Sequence, residues 1–368
     1  MIHSVTETAA MHHTPLSRMF RGDPLARFLW KKGVTPLRMG LVVFVYGLIY
    51  CIILPIFLGT LGDALRDWPT LVIVMGVSPI LLGYYVWEPF SIQQLYDGVG
   101  ERVQKGRYDE AQISRLTRPM GRPGWFWLAL LAGLFEATYI AIHNANVPSN
   151  WQNISPLMIA TLIPLRFLSF YAVTFIISRE IINIISINRF LTIFPMEIAP
   201  LHPDKAGGLY VMGRYVLSRG LIIGMAGMLF GMNLLRVQLG LGTLSAEFYI
   251  EMIVYTIATP SFFILPLWQA HRLMLKAREK IMREIAEKYE DQYYQSLEHL
   301  KTGQLNNEHI GNIEALQKLY EIAEKAPTWP LNMGIVSQFS AVVLVPVFLP
   351  MALDFIGSTF QSLMQFGS

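Results

Sequence analysis

Trp125–Ser178 reads WFWLALLAGLFEATYIAIHNANVPSNWQNISPLMIATLIPLRFLSFYAVTFIIS, and this stretch decides the fold. Two apolar runs, 125–143 and 154–178, flank a gap, 144–153, that holds no charged side chain. Each run is about the 20 residues that a helix needs to cross roughly 30 Å of hydrocarbon. The stretch therefore reads as a hairpin of two membrane-spanning helices whose connection lies outside. The gap before it is the opposite: 93–124 carries Arg102, Lys105, Arg107, Arg115, Arg118 and Arg122, which marks a cytoplasmic loop.

Working outward, further apolar runs predict helices at 38–60, 69–92, 216–238, 248–270 and 332–356. The expected fold is all-α: a polytopic membrane protein of about seven transmembrane helices, N-terminus in and C-terminus out. Twenty-six of the 29 Lys and Arg residues fall in alternate gaps, which makes the charge pattern self-consistent. Arg66 and Arg236 fall on the outer side, and Arg166 inside a helix. The first apolar run follows a long polar segment and has no small-residue cleavage site, so it reads as a retained helix.

Composition agrees. Of 368 residues, 53% are hydrophobic and 15% charged, against about 25% charged in a typical soluble domain. The net charge of +3 sits in loops, which suits orientation and contact with anionic lipid and points to no nucleic-acid partner. The single cysteine, Cys51, excludes an intrachain disulfide and a cysteine metal cluster.

Four regions follow. Residues 1–37 form a cytoplasmic segment in which Pro24–Lys32 suits a short interfacial helix, with Trp30 at headgroup level. Residues 38–270 hold six spanning helices. Residues 271–330 form a cytoplasmic helical hairpin. Its first helix carries the stripe Met274, Ile281, Ile285, Tyr289, Tyr293, Leu297 and Leu300, and its second carries Ile313, Leu316, Tyr320 and Ala323. Residues 331–368 are the last spanning helix and a short external tail. The interval 181–198 is apolar but broken by Asn183, Asn188, Arg189 and Pro195; it either prolongs the fourth helix, lies along the membrane or re-enters it.

Glu136 and Arg166 are the sharpest candidate pair. Helix rise puts each roughly 16–18 Å deep on adjacent antiparallel helices, near the midplane. Charges there are costly, so the two should pair, either as a binding or proton site or as a lock between helices. Ser337, Gln338, Ser340 and Asp354 on the last helix are candidate pore-lining residues. His202, Asp204, Gly207 and Gly208 suit a special cytoplasmic turn in which Asp204 acts as a cap. Gly220, Gly224, Gly227 and Gly231 at small-xxx-small spacing suit close helix packing. No pattern calls for a metal or other cofactor, and no catalytic constellation stands out.

Two stretches, HPDKAGGL at 202–209 and APTWP at 326–330, resemble those of a set of uncharacterised bacterial multi-helix membrane proteins. That likeness implies a bacterial inner (cytoplasmic) membrane and brings no activity with it. The topology also resembles the insect odorant- and gustatory-receptor channels, in which the final helix lines a tetrameric cation pore and the preceding cytoplasmic helices anchor the subunits. This implies a homo-oligomeric ion channel or ligand-sensing membrane protein. The alternatives are a secondary transporter using Glu136 and Arg166, a membrane scaffold, or an intramembrane lipid enzyme.

Overall fold

The computed structural model describes residues 15–104, 110–146, 151–200, 202–241, 246–301, 307–331 and 334–341. Two short helices come first, α1 (Pro15–Gly22) and α2 (Pro24–Lys31). Then follow two long ones, α3 (Pro36–Phe57) and α4 (Trp68–Gly100). A short α5 (Glu110–Thr117) leads to α6 (Gly124–Asn146), α7 (Pro156–Ile193) and α8 (Tyr210–Gln238). Next are α9 (Ala246–Ile264), α10 (Trp268–Lys301) and α11 (Asn307–Glu324). Six helical stretches are long and apolar enough to cross a membrane, which makes this a multi-pass membrane protein. Of the expected seventh, 332–356, only 334–341 is described, as helix; the rest, Asp354 included, lies outside the described residues.

The expected hairpin of 125–178 is present: α6 packs on α7, so closely that a Cβ at Gly133 would meet the Phe167 ring at 2.8 Å. The α3–α4 pair is equally tight, with Gly40 against the Pro79 carbonyl and Gly83 against that of Pro36. Both helices contain a π-helical turn, Ile49–Ile53 and Ile73–Val77, each just ahead of a proline, Pro55 and Pro79. Proline has no N–H to give the ladder, and a π turn re-registers the bonds around the gap.

Three boundaries differ from the sequence reading. Helix α7 runs unbroken for 38 residues and absorbs most of 181–198, so of the alternatives for that interval it prolongs the fourth helix. Its polar side chains face inward: Arg179, Glu180, Asn183 and Ser186 are all buried. Helix α4 likewise continues beyond 92 to Gly100, with Pro89 inside it. The run 248–270 breaks at Leu265–Leu267, where Pro266 starts a tight 3-10 turn before α10.

The N-terminal helices pack on the bundle by one face, with Phe28 and Trp30 exposed on the other. Met19, Phe20, Ala26 and Leu29 are buried against the bundle. Helix α1 sits on the turn Arg118–Gly121 with backbones nearly touching: a Cβ on Gly121 would lie 2.9 Å from the Arg18 carbonyl oxygen. Helices α10 and α11 pack together, as the apolar stripes predict. Two helices alone cannot cover both stripes, so Tyr293, Leu300 and Tyr320 stay exposed, along with Tyr294, Leu319 and Ile322.

Candidate functional site: a buried ion cluster and a second clasp

The main site begins at Asp23, the single residue between α1 and α2. Asp-Pro is a helix-start signal, and Asp23 caps α2 by accepting the Ala26 amide at 3.1 Å. The same side chain points into the bundle and is fully buried. Arg179 of α7 donates to its Oδ2 at 2.5 Å, as does the Tyr85 hydroxyl of α4, also at 2.5 Å. Tyr171 of α7 donates to its Oδ1 at 3.0 Å. The other arm of Arg179 donates to Glu88 Oε2 of α4 at 2.9 Å.

A second group adjoins the first. Arg219 of α8 lies 3.0 Å from Glu180 Oε2 and donates to the hydroxyls of Tyr84 and Ser91, which flank Glu88 on one face of α4. Tyr215 donates to Glu180 Oε2 at 2.6 Å, and Asn183 donates to Tyr215 at 2.6 Å. The two guanidinium planes sit over aromatic rings, Arg179 on Phe175 at 5.0 Å and Arg219 on Tyr215 at 4.1 Å. Asp23, Glu88, Arg179, Glu180 and Arg219 are each 3% exposed or less. Helical spacing explains the convergence: Tyr171, Phe175 and Arg179 share a face of α7, as Tyr215 and Arg219 do on α8.

A smaller clasp holds the opposite ends of the helices. Asp67, at the start of α4, is buried and accepts from Arg236 through both oxygens, at 2.9 and 3.1 Å. Trp151, Gln152 and Thr70 also donate to it. The distance along α8 from Arg236 back to Arg219 is about 25 Å at 1.5 Å per residue. The two buried sites are thus separated by most of a hydrocarbon thickness.

The sequence-level candidates fare differently. Glu136 and Arg166 are brought together at 3.7 Å, but Arg166 is 40% exposed at the bundle surface, while Glu136 is 10% exposed. The double variant Glu136→Leu/Arg166→Leu is expected to be neutral or stabilising by up to about 4 kcal/mol, since apolar groups replace an imperfectly shielded pair. Thermal unfolding in detergent checks this; a clear loss of stability would make the pair a lock between α6 and α7.

His202, Asp204, Gly207 and Gly208 do form a turn. Asp204 Oδ1 accepts the amides of Ala206 and Gly208 at 2.9 and 3.1 Å and lies 2.8 Å from His202 Nδ1. Gly207 and Gly208 both have positive φ, 65° and 88°. Asp204 therefore caps the turn itself; α8 begins at Tyr210 with no side-chain cap. Burial alone would push the Asp204 carboxyl up, but the two amides and His202 outweigh it and hold it below the usual aspartate range.

Ser337 and Gln338 are exposed and Ser340 is half-buried, while Ile335 is buried and Phe339 stacks on Phe263. Gly220, Gly224, Gly227 and Gly231 are buried, and the Phe339 ring sits against Gly220.

Sequence reasoning missed the main site because it counted Arg179 and Arg219 as solvated loop cations. They lie near the predicted cytoplasmic ends of their helices, but their charges are spent inside the protein. The available signals were Glu88 in an otherwise apolar run, and the inward periodicity of Tyr171, Phe175, Arg179 and Asn183. No protein-family model, curated protein or solved structure matches the chain.

Proposed function

We propose that this chain is a seven-span protein of the bacterial cytoplasmic membrane, N-terminus in and C-terminus out, that works as a proton-coupled secondary transporter, with the buried ion cluster as its coupling centre. One observation carries the reading: three carboxylates and two guanidinium groups are packed out of water among four separate elements. Removing charges from water costs several kcal/mol per ion, and apolar packing of the same volume would hold helices together at least as well. Ionisable groups kept inside a membrane bundle mark ion and proton paths as a rule. The unequal charge count gives the cluster a means of taking up a proton. The single-residue join at Asp23 lets a movement of α1 and α2 make or break its bonds.

Proteoliposomes loaded with a pH-sensitive dye test this. Solutes of different chemical class are added outside under an imposed pH gradient. Transport predicts proton movement that depends on a particular solute and is abolished by Arg219→Met in folded protein. Proton movement indifferent to every solute, or none, overturns it.

The second reading is a homo-oligomeric channel or ligand sensor lined by the last helix. It is favoured by the exposure of Ser337 and Gln338 opposite the packed Ile335 and Phe339, and by the uncovered apolar residues of the α10–α11 hairpin. Native mass spectrometry separates the two: a closed ring with conductance supports the channel, whereas a monomer sets it aside.

A further inference from the structure

The five charges of the cluster do not share their partners evenly. Glu180 and Arg219 match one to one, and Glu180 Oε2 also accepts from Tyr215. Arg179 faces two carboxylates, Asp23 and Glu88, so the surplus negative charge belongs to that triad. Within it the donors are divided four to one. Asp23 accepts from Arg179, Tyr85, Tyr171 and the Ala26 amide, which together occupy both its oxygens. Among the described residues Glu88 accepts only from Arg179, through Oε2. Its Oε1 is buried and receives no hydrogen bond there; Glu180 Oε1 is bare too, but Glu180 has Arg219 to itself and the Tyr215 hydroxyl besides.

A carboxylate held by four donors keeps its charge, because each donor stabilises the anion. A carboxylate with one donor and one bare, buried oxygen is the group that a proton neutralises at least cost. On the reading of this cluster as a coupling centre, we infer that Glu88 Oε1 is the atom that takes up and releases the proton. A hydronium ion from the aqueous side gives up its proton to Oε1: one of its O–H bonds breaks, the carboxyl O–H bond forms, water is left, and Arg179 stands in a one-to-one pair with Asp23. Release restores the second claim on the same guanidinium and loosens Asp23, and with it α1 and α2.

The surroundings support this on every packed side. From α7 come Arg179, Glu180 and Tyr171, and from α8 Arg219 and Tyr215. The α1–α2 join brings Asp23, and α4 itself brings Tyr84 and Tyr85. Arg18 and Arg27 are turned to Ser114 and to carbonyls of α1. Helix α3 brings Gly40 and Gly47 against α4; its Arg38 is exposed, and its Tyr46 donates to the Thr161 carbonyl. No guanidinium besides Arg179 and Arg219 reaches the cluster among the described residues.

The test is infrared spectroscopy of the full chain in lipid at neutral pH. A protonated, buried carboxyl gives a C=O stretch distinct from those of carboxylates and amides. Wild-type protein should show that band, and isotopic labelling of glutamate, but not of aspartate, should shift it. Glu88→Gln should remove it and Glu180→Gln should keep it. A band that moves with labelled aspartate, survives Glu88→Gln, or vanishes when sodium replaces potassium overturns the assignment; the last would mean a metal cation at Glu88. The labelling arm uses unaltered protein, so it holds even where a variant fails to fold. The band is read without transport: its presence on Glu88 with no proton flux sinks the transporter reading alone, and flux without it sinks this site alone.

Discussion

Arg179→Met is expected to cost about 3–5 kcal/mol of folding free energy, enough to remove most of a membrane protein's margin. Among the described residues the guanidinium of Arg179 is the only cation bonded to both Asp23 and Glu88, and all three side chains are sealed from water. Its loss leaves one or two buried carboxylates without a counter-charge. Methionine fills the volume, so packing is not the cause. The penalty is electrostatic and can be cancelled: adding Asp23→Asn and Glu88→Gln removes the orphaned charges. Asn at position 23 can still cap α2 and still accept from Tyr171. The triple variant should recover most of the stability, although no charge pair has been restored. The measurement is unfolding in detergent, followed by heat and size-exclusion chromatography. A single variant as stable as wild type would mean that the triad contributes nothing. A triple variant as unstable as the single would place the damage in packing.

The contrast with Glu136 and Arg166 shows what a single sequence makes visible. An isolated charge in a long apolar run stands out locally, and the short 144–153 loop places two such charges side by side. That pair is real but lies at the bundle surface. The cluster at Asp23 is held by bonds that reach across as many as 156 positions, and no local pattern connects them. Six spanning stretches are legible because length and hydropathy are local properties. Where the spans end is less so. Arg179, Glu180 and Asn183 look like the exit of a helix from the membrane, yet α7 continues through them with its polar groups turned inward. A count of cations per loop treats a buried arginine and a solvated one alike, so the charge pattern gains two members that have no contact with water.

The Asp67 clasp obeys the same electrostatics with a different architecture, and Asp67→Ala is expected to cost about 3–5 kcal/mol. Asp67 ties together three parts of the chain: the α3–α4 turn, the α6–α7 loop through Trp151 and Gln152, and the end of α8 through Arg236. Removing its carboxylate strands a half-buried guanidinium and the indole N–H of Trp151, which also packs on Tyr50. Asp67→Asn keeps the shape and one acceptor oxygen, so it should cost less, about 1–3 kcal/mol. Arg236→Met should fall close to Asp67→Asn, because Thr70, Trp151 and Gln152 still serve the carboxylate. Double-mutant cycles between Asp67→Asn and Arg236→Met measure the coupling directly, and a coupling near zero would demote the pair to a surface contact. The decisive comparison is with the main site. If the Asp67 clasp only fastens the helix ends, Asp67→Asn should lower thermal stability and leave the infrared carboxyl band of the Asp23–Glu88 cluster intact. A band that moves with Asp67→Asn would mean that the two sites, about 25 Å apart along α8, are coupled through that helix.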